Sequence, residues 1–162
     1  MNLFTGESSD EFFGGSVPPA VRRLLDEAVG APPQRVEALL WTAQASASEC
    51  LPVYYLLYKF HAGRRQFELA EKAARKGIAV AGRQAKLDAD WARVQPGDGD
   101  FSSTGPARFW LFSLKALAFI CLRSGRSDEA RALVAHITRL DPTHGLGGEV
   151  LTSLLDGSAA GD

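Results

Sequence analysis

Two cysteines, three histidines, one methionine and a single asparagine are all that this chain of 162 residues holds of those types, and their scarcity narrows its chemistry. Cys50 and Cys121 lie far apart, with no second thiol or histidine at ligand spacing around either. Metal and redox sites show themselves by clustered spacing, so two buried, reduced thiols are expected. His61, His136 and His144 are scattered; none forms an HExxH-like pair or stands near paired carboxylates, as general acid–base catalysis or zinc binding would need. Gly14-Gly15 and Gly147-Gly148 lack the lysine and strand of a phosphate loop. Asp98-Gly99-Asp100 resembles a calcium loop but lacks the glycine and closing glutamate at the required offsets. The expectation is a chain with no catalytic residues, no metal, no cofactor and no small-molecule substrate: not an enzyme.

Long apolar runs are also missing. The longest, Ala116 to Leu122, is far too short to span a bilayer. Met1 to Ser16 has no basic residue and no apolar stretch of signal-peptide length, so neither a leader nor a membrane partner is expected, and the cytoplasm is the expected location. No sign of charge dominates, since the net charge is −1. What is present is ordinary for a folded domain: 46% hydrophobic and 23% charged residues lie far from the composition of disordered chains, and the length suits one domain.

Apolar residues recur at helical spacing and nowhere alternate over a strand's length. The pattern predicts helices over 18–29, 33–48, 51–62, 66–86, 106–124, 127–140 and 145–155. Pro18 and Pro19, Pro52 and Pro106 stand at helix starts, where their missing N–H is harmless; Ser127 is expected to cap the sixth helix, followed by Asp128 and Glu129. Gly30, Gly63 and Gly125 mark turns, and Asp141-Pro142 ends the sixth helix. The expected division is an acidic segment over 1–16 with Phe4, Phe12 and Phe13, a helical domain over 17–156 interrupted by a polar inserted loop at 87–105 that carries Trp91 and Phe101, and a tail over 157–162.

Self-comparison exposes a recurring helix pair. Its last copy reads Leu114, Leu117, Ala118, Cys121, Gly125, Ala130, Val134, Ile137, Leu140, Asp141, Pro142. The middle copy reads Tyr54, Leu57, Tyr58, His61, Phe67, Ala70, Ala74, Gly77, with Tyr58 where a small residue is usual and its turn glycine, Gly63, early. A degenerate first copy, Leu25, Val29, Ala38, Ala45, sets Ala38 32 residues before Ala70. These spacings resemble the tetratricopeptide repeat, whose period is about 34 residues. The resemblance implies an all-α fold, a short superhelix of stacked antiparallel helix pairs with a concave face, closed by the seventh helix with Leu146, Val150, Leu151, Leu154 and Leu155 as a cap. A plain helical-hairpin bundle is the alternative.

In proteins of that kind the first helix of each pair lines the groove. Carried over, the partner-binding positions are Tyr55 and Lys59 in the middle copy, Phe112, Lys115, Phe119 and Arg123 in the last, and, more weakly, Arg23 in the first. Rings flanked by cations suit an extended or helical peptide with acidic and apolar side chains; the bland alternative makes Phe112 and Phe119 core residues. The asparagines with which chaperone-binding relatives clamp a terminal carboxylate are missing, Asn2 being the only one. Lys59 to Lys86 holds eight basic and two acidic residues, a balance of +6, and Lys72, Lys76 and Arg83 share a helix face. That basic stripe suits an acidic protein surface or, less well, nucleic acid, with a solvated face as the plain alternative. Tyr54 to Gly77 and Gly105 to Arg126 also resemble small repeat proteins encoded among the nitrogen-fixation genes of proteobacteria. That resemblance implies a protein partner, an accessory factor docking on nitrogenase or its assembly machinery; a chaperone for a secreted or unfolded protein is the competing reading.

Overall fold

The computed structural model describes residues 17–103 and 105–142. Among them stand six α-helices and no strand: α1 Pro19–Ala28, α2 Pro33–Ser46, α3 Leu51–Gly63, α4 Phe67–Gln84, α5 Pro106–Arg123 and α6 Ser127–Leu140, with a single 3-10 turn at Trp91–Arg93. The chain is all-α. The acidic segment 1–16, the expected capping helix at 145–155 with its apolar residues, and the tail 157–162 lie outside the described residues.

Consecutive helices pack against one another, and α3 also reaches α5. This makes α3 central, and its composition shows why: every residue from Leu51 to Tyr58 is buried, as expected of a helix apolar on all sides. Proline occupies the first or second position of α1, α2, α3 and α5. At α6 the expectation needs correcting: Arg126 is the N-cap without a side-chain bond, and Ser127 lies inside the helix. Asp128 and Glu129 do sit in its first turn, where carboxylates meet the positive helix end.

The second helix of each pair buries the same pattern. Val36, Leu39, Leu40 and Ala43 in α2, Ala70, Ala73, Ala74 and Gly77 in α4, and Ala130, Leu133, Val134 and Ile137 in α6 are all buried. Val36, not Ala38, therefore holds the first key position, 34 residues before Ala70 by subtraction of 36 from 70. The expected first copy fails because Val29, Ala38 and Ala45 are exposed; only Leu25 is buried. A small residue had been matched to a small residue, although burial at that position admits valine.

The turns explain the misplaced glycine. His61 and Cys121 carbonyls accept from Gln66 N and Arg126 N at 2.9 Å in both cases, the five-residue closure that needs a left-handed residue before the donor. Gly125 supplies it with φ 82° and Arg65 with φ 60°. Gly63 merely ends α3. At Gly77, by contrast, absence of a side chain is required: a Cβ there would lie 2.8 Å from Tyr54 Cβ and 3.3 Å from Phe109 Cε1, so α3, α4 and α5 meet at that point.

The 87–105 segment does not hang free. Asp88, Asp90, Asp98 and Asp100 each accept a backbone N–H two or three residues away, building successive turns. Val94 is fully buried, Trp91 stacks edge-on against His136 with centroids 5.4 Å apart, and Phe101 meets Trp110 at 5.8 Å. The segment is a strap over α5 and α6.

Candidate functional site

α3 and α5 bring Tyr55 and Phe112 together, with ring centroids 5.6 Å apart at 49°. One turn along α3, Lys59 Nζ lies 5.9 Å from the Tyr55 ring. Two turns along α5 from Phe112 comes Phe119, and there the Arg123 guanidinium stands 5.9 Å from Phe119 and 5.6 Å from Phe67 at the start of α4. Arg64 adds a cation 5.8 Å from Phe60. Tyr55 is buried, Phe112, Phe119, Phe67 and Lys59 are half-buried, and Arg123 and Arg64 are exposed. The result is a ridge of ring edges topped by cations, which combines apolar contact area with positive charge held over aromatic faces.

Lys115 does not share in that display. It is 4% exposed, and its Nζ donates to Asp141 Oδ2 at 2.9 Å. Burial pulls its ammonium below the usual lysine range, against the opposing pull of Asp141. Its charge is committed to joining α5 to the end of α6. Arg23 lies exposed on α1.

The basic stripe is also largely engaged. Lys72 and Lys76 each place Nζ 5.6 Å from the ring of Trp41, and Arg83 donates to Glu49 at 3.2 Å. Arg75, counted in the same positive run, bonds Glu71 within its helix and Glu129 of α6, while Arg126 bonds Glu71 from the last turn. Two cations of the run, Arg75 and Arg83, thus meet acidic groups outside it, Glu129 and Glu49. Trp41 is held in turn by its indole N–H, which donates to His61 Nε2 at 3.2 Å. An indole can only donate, so His61 carries its proton on Nδ1 and donates to Gln66 Oε1 at 2.9 Å. The fully buried His61 is a strut between α2, α3 and the following turn.

No family model and no solved structure matches the chain. It is similar to a protein of Azotobacter chroococcum mcd 1 described as an uncharacterized 19.8 kDa protein in the nifW 5′ region. The two are 28% identical over 158 residues, which span 96% of this chain and 89% of that protein.

Sequence reasoning assigned Tyr55, Lys59, Phe112, Lys115, Phe119 and Arg123 to a groove; the structure sets Tyr55, Lys59 and Phe112 in one cluster, Phe119 and Arg123 in another with Phe67, and Lys115 in neither. It missed Phe67 as part of that surface, having read it only as a repeat position, and it missed Trp41 altogether. A tryptophan five residues after a buried helix position was the available signal. Both cysteines are buried and neither is in a disulfide; burial pushes the Cys121 thiol up to about 11. Among the described residues, no group of three or more His, Cys, Asp or Glu could hold a metal ion. No described helix is long and apolar enough to cross a membrane.

Proposed function

We propose that this chain is a non-catalytic adaptor of the tetratricopeptide type, an accessory factor of nitrogen fixation that docks on nitrogenase or its assembly machinery. The observation that carries the docking surface is the Tyr55–Phe112 contact with Lys59 over Tyr55 and, two turns farther along α5, Arg123 over Phe119. The 34-residue step between Val36 and Ala70 and the shared burial pattern of α2, α4 and α6 support the repeat type. The relative's place in the nifW 5′ region supports the nitrogen-fixation setting implied by residues 54–77 and 105–126. Two groups that a reaction could draw upon are not poised for it: His61 braces Trp41, and the Cys121 thiol is kept protonated at neutral pH.

Aromatic anchors beside exposed cations favour a partner segment bearing acidic and apolar side chains, because the cations steer the encounter and the rings supply contact area. The chain is to be tagged in its native cells, grown with and without fixed nitrogen, and used to capture nitrogenase components. Lys59→Glu and Arg123→Glu should each reduce capture several-fold, while Lys115→Met should leave it unchanged. A nitrogenase complex indifferent to both charge reversals would overturn this surface; recovery of unfolded secretory proteins instead would favour the chaperone reading.

A further inference from the structure

Among the described residues, the cations of the ridge meet no opposite charge. Arg35, Arg75, Arg83, Lys115 and Arg126 each pair with an aspartate or glutamate. No described carboxylate pairs with Lys59, Arg64 or Arg123, which stand over the rings of Tyr55, Phe60, Phe67 and Phe119. A cation left without a counter-charge beside a half-buried ring suits a segment that offers a carboxylate and an apolar side chain close together.

The chain carries such a segment itself. Residues 1–16 hold Glu7, Asp10 and Glu11 against no lysine or arginine, and Asp10-Glu11 runs directly into Phe12-Phe13, with Phe4 farther ahead. Carboxylates next to rings mirror the ridge, where Lys59 adjoins the Tyr55–Phe112 pair and Arg123 adjoins Phe67 and Phe119. Residues 143–162 contain no Phe, Tyr or Trp and offer no such match. The acidic segment joins the folded body at Val17, which packs against the core just ahead of α1. Packing runs from α1 to α2, α2 to α3 and α3 to α5, so at about 8–10 Å per step α3 lies within roughly 20 Å of α1 and α5 within roughly 30 Å. Asp10 to Phe13 can reach about 15–25 Å from Val17, and Glu7 and Phe4 about 35–45 Å. The first group therefore reaches α3 and the second α5. A tether of this kind gives an effective concentration on the order of 1 mM, enough for a weak contact to be occupied much of the time.

We propose that residues 1–16 bind the ridge of their own chain, Asp10 to Phe13 at Lys59 and the Tyr55–Phe112 rings and Phe4 with Glu7 at Arg123, and compete there with the protein partner. The inference rests on the docking reading of that surface and adds its regulation: the apparent affinity for a partner falls with the fraction of time the ridge is covered.

The full chain, labelled with ¹⁵N, is given a nitroxide at Ser9→Cys; Cys50 and Cys121 are buried and stay unlabelled. Amide signals of Lys59, Phe112 and Arg123 should broaden more strongly than those of Lys72 and Lys76 on the basic stripe. Asp10→Asn, Glu11→Gln, Phe12→Ser and Phe13→Ser together should remove that preference. In this quadruple variant without the nitroxide, a synthetic peptide of residues 1–16 should shift the ridge signals saturably and bind several-fold more tightly than it binds the parent, whose own segment competes; Lys59→Glu should weaken it again. The quadruple variant should also capture several-fold more of the partner from cells. Equal broadening at the ridge and the stripe, broadening that survives the quadruple change, or a peptide that leaves the ridge signals unmoved would overturn the seat of the segment. With capture still dependent on Lys59 and Arg123, the docking reading would stand without it. A segment seated on the ridge, with capture indifferent to both charge reversals, would sink the docking reading and the competition that rests on it. Capture unchanged by the quadruple variant would overturn the competition alone.

Discussion

The hydroxyl of Tyr58 lies 3.1 Å from Ser113 Oγ in the middle of the α3–α5 contact, with both residues buried. Tyr58 stands where the repeat pattern calls for a small residue, and the neighbouring helix answers with a serine that leaves room for the ring and accommodates its hydroxyl. Ser113→Ala leaves the phenol buried and unpaired, which costs about 1–3 kcal/mol. Tyr58→Phe costs less, about 1 kcal/mol, because the serine can turn to a carbonyl of its own helix. The double variant should therefore be more stable than the sum of the singles predicts, by about 1 kcal/mol. Urea unfolding of the four proteins measures this coupling; strict additivity would show that the bond contributes nothing.

At Gly77 three helices depend on one residue. Alanine improves helix propensity by about 1 kcal/mol, but its methyl carbon would stand 2.8 Å from Tyr54 Cβ, and that atom belongs to a rigid stem. The strain of overpacking runs to about 1–3 kcal/mol and should prevail. Gly77→Ala is expected to lower the melting temperature by several degrees, whereas Gly63→Ala, where a Cβ meets nothing within 4 Å, should raise it slightly. Reversal of that order would place the α3–α4 crossing elsewhere.

The helices were legible because periodic apolar residues and prolines act locally. Residues 67–84 carry an alanine-rich face that can only pack closely, and the expected span of 66–86 differs from α4 by one residue at its start and two at its end. The first repeat was misaligned because size similarity at Ala38 was taken for burial, while the buried register runs through Val36. Pairings across the fold were not legible. Glu71 to Arg126 is a step of 55 residues, and nothing in the local sequence distinguishes that arginine from Arg123, which stays over the rings. The same holds for the strap: its aspartates predicted polar turns, but its docking on His136 and Trp110 depends on helix packing that sequence spacing does not reveal.

Arg65 carries the left-handed conformation that Gly125 carries in the next pair, with φ 60°. A side chain in that region costs about 1–2 kcal/mol, and glycine removes the strain while adding backbone entropy to the unfolded chain. Arg65→Gly is accordingly expected to be neutral or to stabilise by up to about 1 kcal/mol, and Gly125→Ala to destabilise by about 1 kcal/mol. Thermal melts of both variants provide the test. A marked loss in Arg65→Gly would mean that the arginine side chain holds the turn by a contact of its own.

Glu71 ties α4 to α6, and its environment makes that tie depend on pH. The hydrogen bond from Arg126, helped by Arg75, holds its carboxyl below the usual glutamate range despite partial burial. A carboxyl more acidic in the folded than in the unfolded chain adds stability above its unfolded value of 4.5, and that contribution is lost as pH falls through and below this value. Glu71→Gln should therefore be less stable than the parent at pH 7, by about 1 kcal/mol given the partial exposure of the pair, and the gap should narrow as pH falls below 4.5. High salt should narrow it at pH 7 as well. Urea midpoints recorded between pH 3 and pH 7 decide the matter: a gap that stays constant across the range would mean that Glu71 acts through packing alone, and that its charge does not hold the second helices of the last two pairs together.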